Sequence, residues 1–341
     1  MTIELGFGLI TCQRVPGETR SDAELYADAL ALAEEAELLG FDSVWTSEHH
    51  FVDDSYLPSV LPMCAAIAAR TRRVSVGTAL LLAPLHVPLR LAEDAAVVDL
   101  IAGGRLVLGM GLGWRAEECE ALGVPLPERV ARLEDAIDLC RRAWRGDLVA
   151  PRGAPPGTGV PVRPLPARNG GPQIWIGALA ERAIARAGRI ADGFMATEVT
   201  PDDLAVQVEL ARKAHADAGR KERFQISVHL PTFAWHGDDA WELVREPHHY
   251  IAWKYEDMDE ARGRAGDPPA PPPIDEALDA SLREQIVMGT PDEVAGRIRA
   301  FADAAGGDLH YIARLYFPGM PRDVQRQALR IFAEEVAPQL R

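Results

Sequence analysis

Short apolar segments alternate with longer segments of helical periodicity along almost the whole chain. The apolar segments predict strands at residues 3–10, 42–46, 73–82, 105–110, 173–177, 192–196, 224–233 and 309–315. The helical periodicity predicts helices at residues 21–39, 58–70, 88–101, 128–145, 181–188, 201–218, 291–304 and 322–336. Parallel strands need crossover helices between them, so this alternation predicts a parallel sheet. Eight such units favour closure into a (β/α)8 TIM barrel.

An open, doubly wound sheet is the alternative architecture. It would be favoured by a GxGxxG motif opening the first helix, but the first strand leads instead into Thr11-Cys12-Gln13-Arg14. Helix ends support the alternation, because Ser21 and Glu24 form a capping-box pattern and Gly40 suits the position after a helix. The α/β barrel is therefore the predicted fold, as one domain spanning residues 1–341.

Two stretches interrupt this pattern. Residues 146–171 are rich in proline and glycine and predict a long loop. Residues 237–286 predict an insertion between the seventh and eighth strands, with a helix over 240–257 and a proline cluster at 268–273. The insertion also carries His248-His249-Tyr250 and Trp253-Lys254-Tyr255. These residues are interpreted either as aromatic packing on the barrel or as part of a lid over the active site.

Composition narrows the class of protein. The chain is 48% hydrophobic, which fits a globular fold, and no stretch approaches 18 uncharged apolar residues, so no membrane span is expected. The N-terminal segment has no basic region and is interpreted as a strand rather than a signal peptide. The cysteines are scattered, which indicates a reducing, cytoplasmic setting; they are Cys12, Cys64, Cys119 and Cys140. A net charge of −15 argues against a nucleic-acid partner.

The most informative motif is Ser47-Glu48-His49-His50-Phe51, which follows the second strand. The carboxyl ends of barrel strands form the active site in folds of this kind. Neighbouring side chains at a strand end point to opposite sides, so Glu48, His49 and His50 are not expected to share one metal ion. One imidazole could instead donate or accept a proton near neutral pH, although a loop with solvated histidines would read the same way.

Three other strand ends are unusual. Val76-Gly77-Thr78-Ala79-Leu80 ends the third strand, and its simplest interpretation is a buried strand. Gly109-Met110-Gly111-Leu112-Gly113-Trp114 places alternate glycines at the fourth, where a flat ligand or a phosphate could approach the backbone. Ile174-Trp175-Ile176-Gly177-Ala178-Leu179-Ala180 leads into a helix, whose free N–H groups suit an anion. An ordinary turn would explain either glycine motif equally well.

Taken together, these segments resemble the luciferase-like flavin-dependent monooxygenases. The resemblance is dense over about residues 38–130, where residues 40–51 and 103–114 carry it, and it returns at residues 289–294 and 332–340. It implies a TIM barrel that binds a flavin. The first histidine of the motif, His49, would lie beside the flavin and be needed for catalysis. A cis peptide bond between Ala79 and Leu80 would bulge against the flavin ring.

The resemblance also implies the residues that bind the cofactor. These are Glu48, Thr78, Ala79, Leu80, Gly111, Gly113, Trp114, Gly177, Ala178 and Leu179. Five further residues lie at or beside predicted strand ends and are expected to face the substrate; they are His50, Phe51, Leu9, Trp235 and Arg314. The apolar members suggest a small organic molecule with a hydrophobic part. Arg314 could bind an anionic group of the substrate, or it could form a structural ion pair.

Two departures from bacterial luciferase bear on the cofactor. Leu112 and Leu179 stand where luciferase has an arginine and a serine that contact the FMN phosphate, and the glycine loop is more similar to relatives that use the deazaflavin F420. We expect reduced FMN and O2, because Glu48-His49-His50-Phe51 is close to the luciferase form and the oligoglutamate tail of F420 suits an acidic chain poorly. The alternatives are F420-dependent hydride transfer and a barrel that binds flavin without turnover.

The expected partners follow from the same resemblance. A separate flavin reductase would supply the reduced flavin. A homodimer is expected through the helices at residues 58–70 and 88–101, on the evidence of the apolar residues Met63, Ile67, Val97 and Val98.

Overall fold

The computed structural model describes residues 2–260, 262–264 and 266–341. Eight of its strands are parallel and close into a barrel, because β11 pairs with both β1 and β9 while β8 also pairs with β9. In chain order the strands are β1 (Thr2–Ile10), β2 (Ser43–Thr46), β3 (Ser75–Leu82), β4 (Leu106–Gly111), β5 (Leu148–Val149), β6 (Val160–Pro161), β7 (Gln173–Gly177), β8 (Gly193–Ala196), β9 (Gln225–Ala234), β10 (Val287–Gly289) and β11 (Asp308–Arg314). The predicted (β/α)8 barrel is confirmed.

The helices cover the outside of the barrel and alternate with its strands. They are α1 (Asp22–Leu38), α2 (Val60–Arg70), α3 (Pro88–Ala102), α4 (Ala116–Ala121), α5 (Arg129–Trp144), α6 (Glu181–Ile190), α7 (Pro201–Asp217), α8 (Ala240–Glu260), α9 (Glu276–Glu284), α10 (Pro291–Ala304) and α11 (Arg322–Ile331). The last helix is shorter than predicted, because residues 332–336 continue it as a π-helical turn. Within the described residues, none of these helices combines the length and the apolarity needed to cross a lipid bilayer.

Short elements account for most differences from the sequence prediction. The loop at residues 146–171 contains the antiparallel pair β5–β6, and the insertion holds a second helix, α9, before β10 extends the sheet beside β9. α4 was not predicted either, since its six residues are too few to show a helical repeat of apolar positions.

Helix ends follow the sequence signals. Ser21 caps α1, and the Glu24 carboxylate accepts a hydrogen bond from the backbone N–H of Ser21, so the predicted capping box is present. Gly40 follows α1 with φ of 87°, and Gly103 ends α3 with φ of 64°, both in the left-handed region that glycine tolerates. The cysteines Cys12, Cys64, Cys119 and Cys140 are buried and form no disulfide.

Two tryptophans fill the barrel interior. Trp45 and Trp175 lie with ring centroids 5.2 Å apart, within a buried group that also includes Leu9, Ala79, Val107, Met195 and Ile312. A methyl group added at Gly77 would lie 2.3 Å from the Trp45 ring, so the absence of a side chain at Gly77 is what lets the indole fit.

We expect Gly77→Ala to destabilise the fold by about 1–3 kcal/mol, because the fully buried Trp45 has no room to move away from the new methyl group. Urea unfolding would show a lower midpoint with an unchanged slope. The matched control is Gly296→Ala in α10, where no atom lies within 4 Å of the added methyl group, and which should raise stability by about 0.4–1 kcal/mol. Equal midpoints for Gly77→Ala and the parent chain would contradict this account of the interior.

Candidate active site

His49 and Glu118 form a buried pair at the carboxyl end of the barrel. His49 follows β2, and Glu118 lies in α4, directly beyond β4. His49 Nδ1 lies 3.0 Å from Glu118 Oε1, which also accepts the backbone N–H of His50 at 2.8 Å. Burial by itself would raise the pKa of Glu118, but the hydrogen bond and charge of His49 lower it overall. The carboxylate thus orients the ring and leaves Nε2 as the nitrogen available for chemistry.

Aromatic rings surround this pair. The ring centroids of Tyr56, Tyr255 and Trp114 lie 4.9, 5.6 and 6.0 Å from the centroid of the His49 ring. The hydroxyl groups of Tyr56 and Tyr255 are 3.1 Å apart, which links the segment after β2 to the insertion helix α8. His49 is only 5% exposed as a result. A proton on its imidazole would therefore be shielded from bulk water.

Glu48 contacts a different set of residues, and both of its carboxylate oxygens accept hydrogen bonds from the protein. Its Oε1 lies 2.8 Å from His50 Nε2 and 3.0 Å from His86 Nε2, and its Oε2 accepts the backbone N–H of Leu82. Burial would raise the pKa of Glu48, yet the two histidines lower it to about 2. The two histidines of the motif thus contact different carboxylates. Among the described residues, no three His, Cys, Asp or Glu side chains are arranged to hold a metal ion.

The end of β3 lies against the glycines of β4 and β7. The Ala79–Leu80 peptide bond is cis, as the family resemblance implied. A methyl group at Gly111 would lie 2.7 Å from Leu80 Cδ1, and one at Gly177 would lie 2.4 Å from the same atom. The space above these two glycines is therefore filled by Leu80 rather than left open, a use of the glycines that the sequence did not reveal. Thr78 donates its hydroxyl to the carbonyl of Gly109 beneath this layer.

The turn from β7 into α6 suits a phosphate group. Ala180 occupies the capping position of α6, and no side chain caps the helix. Its first N–H groups are therefore available, and the helix dipole favours an anion there. Leu179 beside them is 59% exposed, and Trp114 across the mouth is 42% exposed. An uncapped helix beside open apolar surface fits the phosphate of a flavin-type cofactor, even though Leu112 and Leu179 provide no polar side chain.

Arg314 ends β11 at the same mouth. Its guanidinium group makes no hydrogen bond or ion pair with any residue that the structure describes, so the structural ion pair considered above is not present there. Burial lowers the pKa of His229 to about 3 and that of His248 to about 4, and the nearby charge of Arg314 contributes to both shifts. Arg314 thus faces neutral histidines rather than a carboxylate.

The other expected substrate residues differ in how far they are exposed at the mouth of the barrel. Phe51 is 52% exposed at the mouth, and His50 is half-buried beside it. Leu9 is buried among the interior residues below Leu80, and Trp235 stacks on Phe233 in the main core. The structure therefore leaves Phe51 exposed and His50 and Arg314 partly exposed, but packs Leu9 and Trp235 against the protein itself.

Comparison with known proteins identifies the family. The model of the luciferase-like monooxygenase family matches residues 5–308. The chain belongs to this family. As a luciferase-like oxidoreductase, it is 30% identical to an F420-dependent glucose-6-phosphate dehydrogenase of Microbacterium testaceum, over 100% of this chain and 99% of that protein. It is 26% identical to 4-hydroxyprotoasukamycin monooxygenase of Streptomyces nodosus subsp. asukaensis, over 91% of this chain and 85% of that protein.

Solved structures agree with this assignment. Monooxygenase RslO1 from Streptomyces bottropensis superimposes with a TM-score of 0.83 at 26% identity, covering 99% of this chain and 100% of that one. The FMN complex of the oxygenating component of 3,6-diketocamphane monooxygenase from Pseudomonas putida superimposes with a TM-score of 0.78 at 19% identity over 100% and 99% of the two chains, and shows the fold alone.

The luciferase-like chain has site residues that sequence reasoning missed. Glu118 stands in the acidic run at residues 117–120, and nothing in the sequence singles it out. Arg115 is 1% exposed and donates to the backbone carbonyls of His50 and Met258, which ties the histidine segment to α8. His86 and Tyr255 likewise contact the motif from segments that are remote in sequence, whereas Tyr56 contacts His49 from the same loop after β2.

The insertion is fastened over the mouth by buried charges. Lys254 of α8 is fully buried and donates to Asp53, in the loop after β2, and to Asp257. Arg264 bridges the same two carboxylates at 3.1 and 2.9 Å. These contacts fix α8 against the loop after β2, and Tyr255 of the same helix lies beside His49.

The Glu48 cluster generates a prediction about pH. The folded-state pKa of Glu48, about 2, lies below the ordinary value of 4.5, so its stabilisation is complete above about pH 4.5 and is lost as pH falls toward 2. Burial would lower the pKa of His86, but the hydrogen bond to Glu48 raises it above 6.5, so that contribution is complete below 6.5 and fades as pH rises through the folded value.

We therefore expect Glu48→Gln to cost about 1–3 kcal/mol of unfolding free energy, with the greatest loss between about pH 4.5 and 6.5. Urea midpoints measured for both proteins across pH would show this window. Glu222→Gln, at an exposed carboxylate, is the control and should track the parent chain. A loss that is independent of pH would show that packing, not charge, explains the role of Glu48.

Proposed function

We propose that this chain is the oxygenase of a two-component system, which uses reduced FMN from a separate reductase and O2 to oxidise a small organic substrate. One oxygen atom enters the substrate, the other leaves as water, and reduced FMN supplies the two electrons. The observation that carries the proposal is the buried His49–Glu118 pair under an aromatic lid. Oxygen activation needs protons delivered locally and water excluded, and this arrangement serves both needs.

FMN would be held mainly by backbone. We infer that its phosphate binds at the start of α6, beside Gly177, Ala178 and Leu179. The ring would rest against the Thr78–Ala79–Leu80 bulge, with Gly111, Gly113 and Trp114 along one edge. Glu48 would act from behind by fixing Leu82 at the end of this bulge.

His49 would hold and transfer the proton at Nε2. Glu118 balances the charge of a protonated ring and prevents it from turning, as carboxylates do for catalytic histidines. Arg314 would bind an anionic group of the substrate, because no described carboxylate competes for it. His50 and Phe51 would line the approach, while Leu9 and Trp235 would support the apolar side of the pocket from within the packed interior.

A second candidate is hydride transfer with F420. Relatives named F420-dependent glucose-6-phosphate dehydrogenase match nearly the full chain at 29–30% identity, and the glycine loop points the same way. The same His49–Glu118 pair could accept a hydroxyl proton as hydride leaves the substrate. A protein named as the oxygenase component of trigonelline monooxygenase, from Acinetobacter baylyi, is 28% identical over 50% of this chain and 48% of that protein. That relative supports the FMN-dependent proposal rather than the F420 candidate.

Cofactor binding and oxygen use test the proposal together. We expect the purified chain to bind reduced FMN more tightly than F420 and, with a general flavin reductase and NADH, to couple O2 consumption to substrate oxidation. His49→Ala should lower turnover by about 10²–10⁴-fold at nearly unchanged flavin affinity. Glu118→Gln should lower turnover less and move the pH profile, since it keeps the shape but removes the charge.

His50→Ala is the matched control, because it changes the adjacent imidazole that contacts Glu48 instead. Equal rates for His49→Ala and the parent chain would exclude His49 as the proton donor. Tight binding of F420 with no FMN-dependent oxygen use would replace the proposal by the hydride-transfer alternative.

We also propose a homodimer through α2 and α3. Three of the four apolar residues on which this dimer was predicted are not at the surface, so other residues must form the contact. Met63, Ile67 and Val98 are at most 5% exposed and pack within their own chain, because they face the barrel. The outer face of α3 instead exposes Val97, together with Leu100 and Ile101, at 43–46%. This apolar strip is what a second copy would cover.

Light scattering at micromolar concentration should give about twice the chain mass of 37.1 kDa. Ile101→Glu should return the protein to monomer, since it places a charge in the covered strip. Val206→Glu, at a valine of α7 that is 69% exposed, should leave the mass unchanged. A monomeric mass for the parent chain would exclude the dimer.

A further inference from the structure

The end of the barrel opposite His49 contains a second cavity, of about 240 Å³. It opens among the amino ends of the strands, and Trp175 and His310 contribute to its wall. Three arginines surround it, namely Arg105, Arg168 and Arg223. The same interior tryptophan layer that lies beneath the candidate active site therefore also forms part of this second cavity.

Two side chains of the wall carry hydrogen-bond donors that have no partner among the described residues. Trp175 Nε1 is buried and has no acceptor. A methyl group at Gly193 would lie 2.8 Å from Trp175 Cδ1 and 2.9 Å from the carbonyl of Gln225, so this edge of the indole lies at the amino ends of β8 and β9. The Arg168 side chain makes no hydrogen bond or ion pair with any residue that the structure describes.

Glu4 and His310, the ionisable residues of the wall other than the arginines, are already paired with each other. Glu4 accepts from His310 Nδ1 at 2.8 Å, and His310 Nε2 lies 2.6 Å from the hydroxyl of Ser43. The nearest carboxylate to Arg223 is Asp308, at 3.7 Å, and Arg223 remains 59% exposed.

The charge balance is unusual for this chain. Its net charge is −15, yet three arginines and one glutamate line this cavity. Arg105 donates to the backbone carbonyls of Ala68, Thr71 and Val74. These carbonyl groups are neutral, so they engage its N–H groups but leave its positive charge in place. The cavity thus combines excess positive charge with unpaired N–H donors.

We propose that this cavity binds a small oxyanion, either inorganic phosphate or the phosphate or carboxylate group of a small metabolite. Such a group supplies only acceptors, which is what Trp175 Nε1 and Arg168 lack, and guanidinium groups bind it in paired hydrogen bonds. The volume lies below the range of about 300–1,000 Å³ usual for larger organic ligands, so the ligand is small. This site is separate from the proposed flavin site and does not depend on it.

The indole N–H signal of Trp175 provides a local readout. In protein labelled with 15N at tryptophan, titration with inorganic phosphate at constant ionic strength should shift the Trp175 signal and reach saturation. Malonate in a parallel titration distinguishes a preference for phosphate from one for carboxylate. Trp175→Phe assigns the signal, and backbone-linked assignment replaces this variant if it fails to fold.

Arg168→Ala combined with Arg223→Ala should raise the phosphate concentration at half saturation by about tenfold or more. Both side chains are exposed, so the fold should tolerate their loss. Arg152→Ala, at an exposed arginine between β5 and β6, should change nothing. A Trp175 signal that neither anion moves would overturn the proposal. So would an equal shift in the double variant, because phosphate bound at the catalytic mouth would be indifferent to these arginines.

Discussion

A buried carboxylate needs hydrogen-bond donors in place of water, and two buried carboxylates organise the carboxyl end of this barrel around such donors. Glu48 collects His50, His86 and the backbone of Leu82, while Glu118 collects His49 and the backbone of His50. His49 and His50 have little freedom, because Glu118 holds the first ring and Glu48 holds the second. The position of His49, the end of β3 and the approach of α8 all depend on these two residues.

The barrel could be predicted from the sequence because its signals are local. Apolar runs, caps and glycines lie within a few residues of the elements that they specify, as Ser21 and Glu24 do for α1. The partners of the histidine motif could not be predicted, since the contacts are remote: His49 and Glu118 are separated by 69 positions, and Tyr56 and Tyr255 by 199. Periodicity carries no information about such pairs.

The same limit explains why the sequence assigned buried residues to the dimer contact. An apolar residue in an amphipathic helix faces either its own barrel or another chain, and Met63, Ile67 and Val98 face the barrel. Helix α8 shows the converse case. Lys254 looks like an ordinary charged residue of a surface helix, but it is fully buried between Asp53 and Asp257. Removing one member of such a cluster would leave an unpaired buried charge, so the cluster fixes α8 against the loop after β2.

The packing of Leu80 over Gly111 and Gly177 has a consequence for how this site can diversify. One side chain fills the volume that two glycines leave, so the three positions share a single space. A larger residue at position 111 or 177 requires a smaller one at position 80, and a smaller residue at 80 deepens the floor on which a planar ring would settle. Single substitutions at position 111 or 177 will mostly fail for steric reasons. Combinatorial libraries that vary the three together can instead reshape the depth of the pocket while the barrel beneath it stays intact.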